Sequence, residues 1–138
     1  MSLDSRYKTG LLWQDLQHKE LIDLFNKLSD QNLEKTDPAL FTHTIGFLVM
    51  YANQHLSLEE GYMDEYKYPD SEYHKKEHKE FIKKLKYFRK SHNSFSPDAV
   101  ENLLNNIKEW ILNHIAENDK KLGLFINEKE KYDFANKP

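Results

Sequence analysis

Apolar residues recur along this chain at alternating steps of three and four, in four separate stretches. His18, Leu21, Phe25 and Leu28 form the first line, the stripe of one amphipathic face, and predict a helix over about 13–33. A second stripe, Phe41, Ile45, Leu48, Ala52, His55, Glu59 and Tyr62, follows Thr36-Asp37-Pro38. Asp37 reads as its N-cap and Pro38 as its first turn. The third starts near Asp70 or Ser71 and runs His74, His78, Phe81, Leu85, Phe88. The fourth follows Ser96-Pro97-Asp98 and runs Val100, Leu103, Ile107, Trp110 or Ile111, then His114. Tyr68-Pro69-Asp70 separates the second from the third, since proline and the residue before it disfavour helix. No stretch alternates as a strand does. Short connections predict an all-α, up-down-up-down four-helix bundle over about 11–122. A polar N-terminal arm (1–10) and a charged C-terminal tail (123–138) flank it. Leu122, Leu124, Phe125 and Ile126, at the start of this charged segment, are expected to pack back on the bundle.

Each stripe carries a residue that does not belong in a hydrophobic core. His55 and Glu59 are four apart, as are His74 and His78, so each pair shares one helical face. One such pair alone is weak evidence for a metal site. With His18 and His114 included, five imidazoles and a carboxylate point inward from four helices. Buried without a shared partner, each would cost several kcal/mol, roughly 2–7 for a neutral polar group. A metal centre removes that cost. Asp119 lies five residues after His114, a rotation of about 140° on an ideal helix. Either a π-type turn realigns the two, or Asp119 is not a ligand. His43 and His92 fall off the stripes and read as surface histidines. Glu60 points about 100° from Glu59 and reads as solvated. Tyr62, Tyr66, Tyr68 and Tyr73 read as packing around the turn.

The 138 residues fit one domain with one core. A net charge of -3 offers no basic field for nucleic acid. The absence of cysteine excludes disulfides and thiolate metal sites. No apolar run approaches a membrane span, and the first ten residues hold no signal-peptide core, so a cytoplasmic address is the default expectation.

The segments WQDLQHKELIDLFNKL around His18, HLSLEEGYM at Glu59, YPDSEYHKKEHKEF at His74 and His78, and KEWILNHIAENDKKL at His114 and Asp119 resemble the hemerythrin family. The resemblance covers roughly residues 10–122 and is near to the single-domain bacterial hemerythrins. It implies a cofactor of two irons, bridged by carboxylates and by an oxo or hydroxo group. His74, His78 and His114 would hold one iron and His18 and His55 the other, with Glu59 and Asp119 bridging. The family uses the same five-residue step to its aspartate, which favours ligation by Asp119. Trp110 and Ile111 would line the oxygen pocket. Leu56 stands where phenylalanine is more usual, and Ile111 where leucine is. These ligands leave one position of an octahedral pair open, on the iron with two histidines. Imidazole and carboxylate also suit zinc or manganese, so iron rests on the resemblance. Dioxygen is the implied ligand, held reversibly for storage, delivery or sensing, and no enzyme activity is expected. The alternatives are a redox enzyme reducing peroxide or nitric oxide and an iron reservoir. Sensing or redox work would need a separate signalling or electron-transfer partner.

Overall fold

The computed structural model describes residues 4–30 and 35–135. Its four long helices pack as an up-down-up-down bundle, and no strand occurs among the described residues. Helix α1 is Leu12–Ser29; the expected extension to Leu33 falls outside the described residues. Helix α2 spans 38–66, α3 is Ser71–Ser91 and α4 spans 97–135. The caps are those the sequence predicts. The Asp37 carboxylate accepts from Ala39 N at 2.9 Å, and Ser96 Oγ accepts from Ala99 N at 3.0 Å. Helix α2 ends on Lys67, whose φ of 53° closes the turn into Tyr68-Pro69.

Helix α3 buries His74, His78, Phe81, Leu85 and Phe88, the stripe read from its sequence. Helix α1 likewise buries His18, Leu21, Phe25 and Leu28, whereas α2 and α4 contain π turns and depart in phase. Helix α2 has one at Tyr51–His55, and α4 has two, at Leu103–Lys108 and Ile115–Asp119. Each inserts a residue into the ladder and rotates everything beyond it. On α2, Thr44 and Phe47 join the buried face ahead of the π turn and Tyr51 and Leu56 at it, and beyond it Met63 takes the place expected for Tyr62. On α4, Ile111 is fully buried while Trp110 is only partly so.

Leu21, Phe25, Leu48, Phe81, Leu103 and Ile107 belong to the larger core cluster, which fills one half of the bundle. A smaller cluster of Leu11, Met63, Tyr68, Leu122 and Ile126 closes the other. The polar site lies between them. Residues 123–135, read as a tail, continue α4 without a break, and Ile126 is buried there. Leu124 stays exposed. The N-terminal arm is also anchored. Its backbone turns at Ser5–Tyr7, and the Asp15 carboxylate accepts from Thr9 N at 2.8 Å and Gly10 N at 3.1 Å. Gly10 has φ 91°, a conformation only glycine enters without strain, where the arm turns into α1. Gly123 allows the closest approach: a Cβ there would fall 2.5 Å from Thr9 Cβ.

Candidate metal centre

The four helices deliver seven donors to one buried volume. His18 comes from α1, His55 and Glu59 from α2, His74 and His78 from α3, and His114 and Asp119 from α4. All seven are at most 2% exposed. The π turn at Ile115–Asp119 carries Asp119 back onto the face of His114. Of the two readings left open for Asp119, the realigned one is observed.

The donors form two groups that share both carboxylates. Glu59, His74, His78, His114 and Asp119 make one, and His18, His55, Glu59 and Asp119 the other, each with donor atoms within 4.8 Å of one another. The sharing is oxygen by oxygen. Glu59 Oε1 lies 3.1 Å from His78 Nε2 and 3.6 Å from His74 Nε2, while its Oε2 lies 3.0 Å from His55 Nε2. Asp119 Oδ1 lies 3.0 Å from both His74 Nε2 and His114 Nε2, and Oδ2 lies 3.0 Å from His18 Nε2. Each carboxylate thus turns one oxygen to each group, the arrangement a bridge between two cations needs.

Several of these close approaches are not hydrogen bonds. His18 Nε2, His78 Nε2, His114 Nε2, Glu59 Oε1 and Asp119 Oδ2 are buried with no hydrogen-bond partner. Ring nitrogens and carboxylate oxygens that converge at 3.0–3.1 Å without hydrogen-bond geometry fit metal donors and fit a packed polar core poorly. The residues present therefore fit a metal pair.

Electrostatics point the same way. Burial and Asp119 push the Glu59 carboxyl up, but His55 and His74 hold it well below the usual range. Burial likewise opposes Asp119, and His114, His18 and His74 overcome it. Burial lowers the basicity of His74, yet Asp119 and Glu59 raise its pKa to about 9. Without metal, protons on imidazole balance the two carboxylates, and cations would displace them.

Outward-facing partners fix the rings. His78 Nδ1 faces Glu60 Oε2 at 2.8 Å, His114 Nδ1 faces Glu77 Oε1 at 3.5 Å, and His55 Nδ1 meets Gln17 Oε1. Donation from Nδ1–H leaves the inward Nε2 lone pair free for a cation. Glu60, expected to be solvated, is half-buried and meets His78 from the neighbouring helix α2. His43 is exposed and His92 packs on Phe88, both apart from the centre. Trp110 stacks on His114 at 5.2 Å and on Phe81 at 5.6 Å, against the three-histidine group.

Around the two-histidine group stand residues that the sequence pattern did not mark. The Tyr51 ring stacks on His55 at 4.2 Å, and its hydroxyl is buried without a hydrogen-bond partner. Burial, with Asp119 and Glu59 adding, raises its pKa well above the usual value, so it stays neutral. Trp13 packs on His55 at 5.6 Å. Gln14 Nε2 donates to Glu59 Oε2 at 2.6 Å. The steps of three and four back from His18 reach Gln14 and Asp15, and only a carboxylate on another helix explains a buried glutamine there.

Comparison with known proteins agrees with the cage. The hemerythrin HHE cation-binding domain matches residues 9–124. A bacteriohemerythrin of Pseudomonas aeruginosa is 32% identical over 111 residues, 80% of this chain and 71% of that protein. One of Campylobacter jejuni is 30% identical over 117 residues, 85% and 88% of the two chains. One of Methylococcus capsulatus is 25% identical over 119 residues, 86% and 90%. The match spans every inward-facing donor, and the chain belongs to the hemerythrin HHE family, its buried histidine and carboxylate cage being a di-iron site.

Proposed function

We propose that this di-iron, oxygen-binding protein takes up dioxygen reversibly, for storage, delivery or sensing. In this reading His74, His78 and His114 hold one iron, His18 and His55 the other, and Glu59 and Asp119 bridge them. When bound, the iron pair supplies the electrons and the open coordination position that dioxygen needs. One observation carries the reading: both fully buried carboxylates are committed to the two donor groups, and each turns one oxygen to each. No further carboxylate is fully buried among the described residues to deliver a proton at the centre.

The remaining side chains keep the site dry and rigid. Ile111 is fully buried and Leu56 2% exposed, and the rings of Trp13, Tyr51 and Trp110 lie on the histidines. Water that cannot enter cannot carry a proton to the centre or solvate a departing anion. In this reading Ile111 lines the oxygen pocket from α4, while Trp110, stacked on His114, stands against the three-histidine group and not at the open position. Glu60, Glu77 and Gln17 hold the imidazole tautomers from outside.

A second reading, reduction of peroxide or nitric oxide with electrons from a separate partner, is favoured by Tyr51. Its neutral hydroxyl is an unpartnered O–H donor in the core beside His55. An optical spectrum of the iron-loaded protein under argon, in air and under argon again separates the readings. A band that appears in air and vanishes on removing oxygen supports reversible binding. Irreversible bleaching, or rapid peroxide turnover with an added donor, sinks it, and easy iron loss to a chelator favours a reservoir.

A further inference from the structure

We infer that Gln14 is a positioning residue of the metal centre, its side-chain amide clamping Glu59 Oε2 in the bridging orientation toward the His18 and His55 side. The inference rests on the two-metal reading above. Gln14 is fully buried on α1, one turn before His18, so the same helix face carries a candidate ligand and the clamp on its neighbour. The Nε2–Oε2 distance of 2.6 Å is that of a short hydrogen bond to a charged acceptor. The other end of the amide is left without a partner: Gln14 Oε1 is buried and accepts no hydrogen bond. A buried amide with one orphaned oxygen costs stability, so packing alone does not account for a glutamine here.

The fold makes room for this amide. Gly123 on α4 lies against it, and a Cβ at that position would fall 2.8 Å from Gln14 Oε1. The consequence concerns one half of the centre. Glu59 Oε2 faces both Gln14 Nε2 and His55 Nε2. When a cation sits beside His55, Gln14 is the donor that still fixes this oxygen. An amide does not titrate, so the donor is present at every pH. It also leaves Oε2 free to bind metal through its second lone pair. Gln14 thereby selects one rotamer of Glu59 before metal arrives, and the entropy of ordering the bridge is met on folding.

The test uses the full chain, Gln14→Met, and cobalt(II) alone as the probe. Methionine keeps the length and bulk of glutamine and lacks the N–H. Cobalt is titrated into wild type and variant, and thermal unfolding of both metal-free proteins is followed by circular dichroism. The expected result is a loss of about 10- to 100-fold in affinity for one of the two cobalts, with metal-free unfolding unchanged or moved upward. Gln14→Leu is the second variant and should behave alike. Cobalt affinities within twofold of wild type would overturn the inference. So would an affinity loss at both positions together with a lowered metal-free unfolding temperature, which marks a packing role. Wild type that takes fewer than two cobalts overturns the two-metal reading itself, before Gln14 is altered.

Discussion

Glu59→Ala removes a side chain that meets donors from α1, from its own helix and from α3. The lost partners are Gln14 at 2.6 Å, His55 at 3.0 Å, His78 at 3.1 Å and His74 at 3.6 Å. In the metal-free protein the Gln14 N–H is left buried and unsatisfied, a cost of about 1–3 kcal/mol. His74 keeps only Asp119 as counter-charge. Breaking a buried ion pair from one side costs roughly 3–5 kcal/mol, and that range contains the amide term. Against a total stability of about 5–15 kcal/mol, the variant still folds at room temperature. Its unfolding temperature drops by roughly 9–25 °C, taking about 3–5 °C per kcal/mol for a chain between the small and large size classes. The metal effect is larger, because each Glu59 oxygen faces a different donor group. Both irons should be lost together. Circular dichroism melts of the metal-free proteins and elemental analysis after anaerobic iron loading give the two readings. Glu59→Gln, which keeps the shape and one carbonyl oxygen, should lie between. Two irons retained in Glu59→Ala with an unchanged oxygenated spectrum would refute the bridge.

Ile111→Ala should speed decay of the oxygenated absorption band in air at unchanged iron content, with a stability cost of about 2–5 kcal/mol; Ile111→Leu conserves volume and should stay near wild type. Equal decay rates in wild type and Ile111→Ala would mean that Ile111 does not wall the pocket. Glu60→Gln weakens the charged acceptor 2.8 Å from His78 Nδ1 and should lower metal affinity by about 10-fold, near the lower end for such partners, measured by competition with a chelator; unchanged affinity would remove Glu60 from the centre. Metal-free stability should fall with rising pH: the folded pKa of His74 is about 9 against an ordinary 6.5, so its contribution is complete below the ordinary value and lost as pH rises through the folded one. The depressed Glu59 and Asp119 act oppositely, contributing above the ordinary carboxylate range and losing that contribution in acid. A melting temperature flat between about pH 6.5 and 9 would contradict the His74 assignment.

The candidate donors were legible in the chain because burial makes them anomalous. His18, His55, Glu59, His74, His78 and His114 each interrupt an apolar stripe at helical spacing, and the structure gathers all six with Asp119. The stripe of α3 needs no correction, since that helix has no π turn. What the sequence alone could not determine follows from two physical causes. A π turn leaves no mark in a hydrophobic pattern, so the choice of Met63 over Tyr62 and of Ile111 over Trp110 as the fully buried residue waited on the helices themselves. Glu60, Glu77 and Gln17 look like wet-face residues on their own helices, and Gln14 and Tyr51 like ordinary neighbours of the stripe. All but Tyr51, which stacks on His55 of its own helix, become partners only because a neighbouring helix sets an imidazole or a carboxylate opposite them. Periodicity along one helix records which face is buried; which polar group meets which across the bundle is set by packing between helices, where a residue's partner lies 18 to 45 positions away in the chain.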